Sequence, residues 1–187
     1  RSTLFPYTTL FRSLRYRLSN LINQMVSLAR LEEQPDMALV DVDFSSLVQK
    51  AAQDFKSVAE KAGKGYHIRV QDDIHVKASQ DELYELVSIL IDNACKYCDE
   101  DGQIFVTLTK AKRRKRARLI VSNSYADGKN VDYSRFFDRF YREDESHNHK
   151  QVGYGIGLSM AESLVNLFKG KIAASYKKGF ISFTILI

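Results

Sequence analysis

Cysteine and long apolar runs are scarce in this chain of 187 residues, and both shortages bear on the class of protein. There is no tryptophan, and the only two cysteines are Cys95 and Cys98. Without a disulfide framework or a signal sequence, we expect a reducing, cytoplasmic compartment. The Cys-x-x-Cys spacing is that of half a zinc site, but zinc would need two further ligands. No apolar run approaches the roughly eighteen residues of a membrane helix, so we expect a soluble chain.

The residues that are present fit one domain with a short appendage, because 44% of the chain is apolar. The formal net charge is +5, but seven basic residues lie in KAKRRKRAR at 110–118. The excess positive charge is therefore local. A nucleic-acid-binding module is the alternative from a different functional class. No aromatic residues interleave with the basic run, so we expect no nucleic acid partner.

The first residues, TLFPYTTLFRS, differ in character from the rest of the chain. Pro6 and the threonines after it interrupt the apolar centre that a signal peptide requires. Residues 4–13 resemble, residue for residue, the in-frame translation of a common short-read sequencing adapter. We therefore expect residues 1–13 to be an assembly artefact.

An apolar seam follows, in which residues recur at alternating steps of four and three. This spacing predicts a helix that packs on a partner helix. The helix should end near Gln34, because Pro35 disfavours helical geometry just before it. The seam residues are Leu14, Leu18, Leu21, Met25 and Leu28.

The remaining pattern predicts an α/β sandwich. A strand precedes a helix over Ser46–Ala62, capped by Ser45 and closed by Gly63. A second amphipathic helix starts at Ser79 or Asp81, after two short strands. Two β-rich runs then form an antiparallel hairpin, and a long loop, a helix and two strands follow. This order fits a mixed sheet covered by helices on one face.

The segment VGYGIGLSMAESL, residues 152–164, predicts a phosphate-binding loop. Glycines at alternate positions let backbone amides approach a ligand, and the following helix presents its positive N-terminus to an anion. The alternative is a flexible turn before a helix. The spacing also differs from that of the dinucleotide-binding fingerprint.

A second candidate site lies in LIDNACKYC, residues 90–98. Asn93 and Lys96 are three residues apart and project from one side of the predicted helix. An amide oxygen suits magnesium, and a lysine can meet a phosphate oxygen. The alternative is that Asn93 bonds locally and Lys96 is simply solvated.

Together these motifs resemble those of sensor histidine kinases. LIDNACKY resembles the N box, FFDRFYRED the F box, and GYGIGLSMAESLVNLFKGKI the second glycine box, in the family's order and spacing. Residues 14–34 resemble the second helix of the dimerisation domain. Residues 35–187 resemble the catalytic domain, which implies the Bergerat ATP-binding fold, a two-layer α/β sandwich.

The resemblance implies a role for each matching residue. Asn93 would chelate the magnesium of Mg-ATP, and Lys96 would contact phosphate. Arg139 and Arg142 would face the phosphates or the phosphoacceptor. A lid over residues 125–154 would be anchored by Phe137, Phe140 and Tyr141. The residues implied to bind the nucleotide are Asn93, Lys96, Tyr97, Asn123, Tyr141, Gly153, Tyr154, Gly155, Ile156, Gly157 and Leu158.

Three positions depart from the family pattern. Asn123 stands where the family has the aspartate that recognises adenine, and Ile89 stands where it has an earlier asparagine. A neutral acceptor contributes roughly 0.5–1.5 kcal/mol, against about 1.5–3 for a charged one. We therefore expect retained but weaker adenine recognition. The alternative is a shifted first glycine box that uses Asp127 and Gly128, since Tyr125 occupies the family's glycine position.

The four histidines, His67, His75, His147 and His149, match no phosphoacceptor. The resemblance thus implies a phosphoacceptor helix outside this sequence, in a homodimeric membrane protein that partners a response regulator receiver domain. The implied cofactors are ATP and Mg²⁺. Another Bergerat-fold ATPase or an anti-sigma-factor kinase is the alternative within the superfamily.

Overall fold

A five-stranded mixed sheet forms the centre of the computed structural model, which describes Ile22, Met25, Val26 and residues 38–111, 117–142 and 155–187. The strands are β1 Val40–Asp43, β2 Gly65–Val70, β3 His75–Ala78, β4 Gln103–Lys110, β5 Ala117–Ser124, β6 Lys171–Lys177 and β7 Phe180–Leu186. The order in the five-stranded sheet is β2-β4-β5-β7-β6, in which β2 and β4 are parallel and the other pairs antiparallel. β1 and β3 form a separate antiparallel pair.

Three helices cover one face of this sheet: α1 (Phe44–Lys61), α2 (Gln80–Tyr97) and α3 (Gly157–Leu167). Alternate side chains of the central strands are buried beneath them, as strand geometry requires. The side of α2 toward the core carries the six apolar residues that the helical pattern predicts: Leu83, Leu86, Val87, Leu90, Ile91 and Ala94. The predicted fold class and element order are confirmed.

The predicted cap of α1 is wrong. Asp43, not Ser45, caps this helix, because its carboxylate accepts a hydrogen bond from the Ser46 amide at 3.0 Å. Ser45 is buried, where its hydroxyl donates to the Gln71 carbonyl at 2.8 Å and accepts from the Ile74 amide at 3.0 Å. Gly63 ends the helix with φ +72°, as predicted.

Residues 1–35 form a unit separate from residues 36–187. Within it, Ile22, Met25 and Val26 are helical and exposed. The assembly artefact and the rest of the seam helix lie outside the described residues and stay predictions.

Two short 3₁₀ helices, Ala126–Asn130 and Tyr133–Arg135, follow β5. No helix in the described part of the chain combines the length and hydropathy needed to cross a bilayer.

Candidate nucleotide-binding site

The end of β5 places a polar side chain inside the core. Asn123 is 0% exposed and shares the buried face of the strand with Leu119 and Val121. Its Nδ2 donates to the Ser124 carbonyl at 3.0 Å, whereas its Oδ1 is buried with no hydrogen-bond partner. An unsatisfied buried acceptor costs free energy, so this atom points to a donor that a ligand would supply.

The orientation of the Asn123 amide follows from its neighbours. A carbonyl oxygen only accepts hydrogen bonds, so the amide NH₂ must face Ser124 and the amide oxygen is left over. The Ser124 carbonyl also accepts from the Asp99 amide at 3.2 Å, and the Asp99 carboxylate accepts from the Ala126 amide at 2.9 Å. Asp127 lies in the first 3₁₀ helix and is exposed. Of the two candidate adenine acceptors, the buried one is therefore Asn123.

α2 brings a second amide to this region. Asn93 is half-buried, and its side chain has no hydrogen bond to any other described residue. Local bonding, which was the alternative explanation for its position, is thus not seen within residues 38–111, 117–142 and 155–187. Ile89 lies one turn earlier, and its Cγ2 would be 3.6 Å from a Cβ on Gly157. This side of α2 therefore meets the N-terminus of α3.

The N-terminus of α3 has the features of an anion site. No side chain caps the helix, and its first turn contains no acidic residue. The first amides of a helix lack intrahelical partners, and the helix dipole favours negative charge there. Ile156 immediately precedes the helix and is buried, so the adjoining backbone is held against the core.

The F box and the glycine loop contact each other through the backbone. The Phe140 amide donates to the Gly155 carbonyl at 2.9 Å. Gly155 has φ +69°, and a Cβ there would lie 2.7 Å from the Tyr141 carbonyl oxygen. Only glycine fits this approach, which explains one of the three predicted glycines. Gly153 and Tyr154 lie outside the described residues.

The aromatic contacts of the F box include the expected Tyr141 and add Phe136, which was not predicted. Phe136 packs at 6.4 Å from Phe183 of the sheet and at 5.0 Å from Tyr133, measured between ring centroids. Phe140 is 59% exposed and contacts the loop through its backbone. Tyr141 packs against Phe136.

The remaining predicted residues lie in the last turn of α2, in the F box and in the first turn of α3. Lys96 is exposed and forms an ion pair with Asp92 on its own helix. Tyr97 is 37% exposed. Arg139 and Arg142 are exposed, and Leu158 is half-buried in the first turn of α3.

Sequence reasoning missed a lysine that supports α2. The Lys64 ammonium donates to the Cys95 carbonyl at 2.6 Å and to the Cys98 carbonyl at 2.9 Å. These carbonyls belong to the last turn and the C-cap of the helix that carries Asn93, where a cation is favourable. Lys64 follows the glycine that ends α1, and its two partners lie 31 and 34 residues later in the chain. No local sequence pattern therefore predicts these hydrogen bonds.

We expect Lys64→Met to destabilise the domain by roughly 1 kcal/mol, because two carbonyls at the C-terminus of α2 lose a charged donor. Thermal unfolding measures the effect. The matched control is Lys61→Met, at the exposed end of α1, which should change the free energy of unfolding much less. Equal effects of the two substitutions would contradict a specific role for Lys64.

The cysteines are free thiols, and the described residues contain no cluster of three or more His, Cys, Asp or Glu that could hold a metal. Burial, with a smaller contribution from Asp92, raises the pKa of the Cys95 thiol to about 11. Burial also raises the pKa of Cys98. Both thiols are therefore protonated near neutral pH and are poor nucleophiles.

We expect iodoacetamide to alkylate Cys95 more slowly in the folded chain than in the urea-denatured chain at about pH 10, between the two thiol pKa values. Between the ordinary thiol pKa of 9.0 and about 11, the unfolded thiol is ionised while the folded one keeps its proton. Stability contributed by Cys95 is thus present below pH 9.0 and is lost as the pH rises. Cys95→Ser should reduce that dependence. Equal alkylation rates in the two states would contradict the raised pKa.

Comparison with known proteins assigns this arrangement to a family. Residues 78–187 match the model of the histidine kinase-, DNA gyrase B-, and HSP90-like ATPases. The sensor protein CiaH of Streptococcus pneumoniae is 30% identical over 171 residues, which are 89% of this chain and 36% of that protein. The histidine-protein kinase BaeS of Escherichia coli is 28% identical over 145 residues, 77% of this chain and 31% of its own.

Solved structures agree in fold. The catalytic domain of the histidine kinase ThkA superposes with a TM-score of 0.69 at 20% identity, covering 81% of this chain and 95% of that one. Full-length ShkA in complex with AMPPNP gives a TM-score of 0.79 at 22% identity, covering 96% of this chain and 37% of that one. The chain spans about a third of the length of CiaH and BaeS.

The family model covers more than half of the chain and includes the helices that carry Asn93 and Gly157. The family that the motifs predicted is confirmed: the chain belongs to the histidine kinase-, DNA gyrase B- and HSP90-like ATPases and contains an ATP-binding catalytic domain of the sensor histidine kinase type.

Proposed function

We propose that this domain binds Mg-ATP and transfers the γ-phosphoryl group to a histidine on a dimerisation helix. The observation that carries the proposal is the buried, unpartnered Oδ1 of Asn123, at the end of the strand beside α2. The 6-amino group of adenine is a donor of the kind this atom lacks. Asn123 thus serves as the adenine acceptor, and Tyr97 lines the same pocket.

The phosphates lie at the N-terminus of α3. The amides of Gly157 and Leu158, with those of Gly155 and Ile156 before them, are the donors available to phosphate oxygens. The ion pair of Lys96 with Asp92 is exposed on both sides, so it costs little to break. Lys96 can then turn to the phosphates, as can Arg139 and Arg142 of the F box.

Asn93 provides the protein ligand for magnesium. Its amide oxygen is hard and uncommitted among the described residues, and magnesium usually takes few protein ligands beside waters and phosphate oxygens. Ile89, one turn earlier, offers no second ligand. Bound magnesium supplies neutralisation of phosphate charge, while Asn93 itself holds a fixed position on a well-packed helix.

Closure of the F-box segment over the phosphates excludes water during transfer. The contact of Gly155 with the backbone of Phe140 and Tyr141 couples this segment, including Tyr141, to the glycine loop. Gly153 and Tyr154 belong to the same proposed loop. Catalysis then consists of positioning and charge neutralisation, with Lys96, Arg139 and Arg142 on the transferring group.

The phosphoacceptor belongs to a dimerisation domain of which residues 14–34 are the second helix, in a homodimeric membrane protein. A response regulator receiver domain is its partner, a proposal supported by the solved complex of ThkA with the response regulator protein TrrA. Neither the general Bergerat ATPase nor the nucleic-acid-binding alternative is favoured by the relatives.

Calorimetric titration of the whole chain with ATP in magnesium tests the proposal. We expect saturable binding of one nucleotide, and no saturable binding would overturn it. With radiolabelled ATP, acid-labile phosphohistidine should appear only when a separate phosphoacceptor domain is added. Labelling of the chain alone would contradict the transfer scheme, which places the phosphoacceptor histidine on a separate dimerisation helix.

A further inference from the structure

The sheet has a face that the helices do not cover. Residues that alternate with the buried positions of β2, β4, β5, β6 and β7 point to this open face. None of these positions is acidic, and four are basic: Arg69, Arg118, Lys171 and Lys177. All four are exposed. Every Lys, Arg, Asp or Glu side chain that the strands place on the open face is therefore a cation, among uncharged neighbours such as Phe105 and Leu186.

Three of these cations gather at one end and form what we call the cationic patch: Arg69, Arg118 and Lys171. Arg118 lies directly opposite Leu186, and Leu186 lies opposite Lys171. At the usual strand spacing, Arg118 and Lys171 are roughly 10 Å apart. Arg69 lies opposite Thr107, and Thr107 lies opposite Ile120, which is two residues from Arg118 along β5.

Nothing in the described part of the chain neutralises the patch. None of the three cations forms an ion pair there. The residue between Arg118 and Lys171 is the uncharged Leu186, and Thr107, opposite Arg69, is uncharged too. The three exposed cations are therefore available to an anionic partner.

The shape of the patch indicates which anion. It lies on the flat face of a sheet, and its cations are too far apart to grip one phosphate or carboxylate together. Lipid headgroups supply negative charges at any spacing on an extended plane, and juxtamembrane basic residues strengthen such binding by roughly fivefold each. We propose that the cationic patch docks the domain on a membrane surface of anionic lipid.

Docking through this face leaves the nucleotide site accessible. Asn123 faces the opposite, helix-covered side of the sheet, together with α2 and α3. The proposal goes beyond the kinase function and does not depend on it. Vesicle binding can therefore be measured without nucleotide.

Co-sedimentation of the whole chain with vesicles of equal phosphatidylglycerol and phosphatidylcholine tests the proposal. We expect binding to these vesicles and not to pure phosphatidylcholine, with loss at about 0.5 M salt. Arg118→Glu/Lys171→Glu should lower the affinity at least tenfold. The matched control is Lys56→Glu/Lys61→Glu on α1, which changes the net charge equally on the helix side.

Equal losses of vesicle affinity in the two double variants would overturn the proposed role of the cationic patch, because net charge alone would then explain the binding. Binding to pure phosphatidylcholine at equal strength would overturn the electrostatic argument. Binding to a short DNA duplex, but not to anionic vesicles, with the same dependence on Arg118 and Lys171 would replace lipid by nucleic acid as the partner. Thermal unfolding shows whether Arg118→Glu/Lys171→Glu is folded. If it is not, Arg118→Gln/Lys171→Gln replaces it, and we expect this variant to lose at least fivefold in affinity for the anionic vesicles.

Discussion

The Asn93→Ala variant should bind ATP with no gain from magnesium, and its affinity in magnesium should fall roughly 10- to 100-fold. The reason is that a contact to a charged group contributes about 1.5–3 kcal/mol, and Asn93 is the one protein oxygen proposed for the metal. The measurement is the ratio of the ATP dissociation constants in magnesium and in EDTA. The wild-type ratio should differ from one, and that of the variant should approach one.

Stability separates this effect from misfolding. Asn93 is half-buried and makes no side-chain hydrogen bond to the described residues, and alanine favours a helix more than asparagine does. Thermal stability should therefore be unchanged or higher while metal-dependent binding is lost. Asn166→Ala, at an exposed asparagine on α3, is the matched control: thermal stability should again be unchanged or higher, whereas metal-dependent binding should be retained. Retained magnesium dependence in Asn93→Ala would place the metal ligand elsewhere.

Periodicity was enough to predict the layers of the fold. The buried face of α2 and the alternation of β4 and β5 follow directly from apolar spacing, since each element must turn one side to the core. The motif order then led to the family. These signals are local or repeated along the chain, so one sequence contains them in full.

Contacts between distant segments were not predictable in this way. Asp43 and Ser45 both can cap a helix, and the choice depends on Ser45 reaching Gln71 and Ile74. Lys64 and Asp99 act on backbone groups that only the fold brings near them. No spacing rule connects such residues, because their partners are set by how the elements pack.

The Asn123 side chain has one property that the sequence predicts and one that only the fold determines. Its match to the adenine-binding position came from counting along the motifs, but the direction of its amide did not. That direction depends on the Ser124 carbonyl, which accepts the Asn123 Nδ2 at 3.0 Å and leaves Oδ1 unpaired. The motif spacing identifies the position of Asn123. The structure adds that its unpaired oxygen requires a hydrogen-bond donor on the base.

We therefore expect the wild-type chain to prefer ATP over inosine triphosphate by roughly 10- to 100-fold in dissociation constant. Inosine carries a 6-oxo group where adenine carries the 6-amino group, so two acceptors would face each other in the pocket. An unsatisfied buried polar group costs about 1–3 kcal/mol, which sets the size of the ratio. Rotation of the amide would not rescue binding, because Oδ1 would then face the Ser124 carbonyl.

Substitution shows whether Asn123 is responsible for that preference. Asn123→Ala should weaken ATP binding and bring the ratio close to one, since neither base meets a fixed acceptor. Asp127→Ala, the matched change in the exposed 3₁₀ helix, should keep both affinity and preference. The reverse result, with preference lost only in Asp127→Ala, would favour the shifted glycine box. Equal binding of both nucleotides to the wild type would exclude Asn123 as the base contact while leaving ATP binding itself intact.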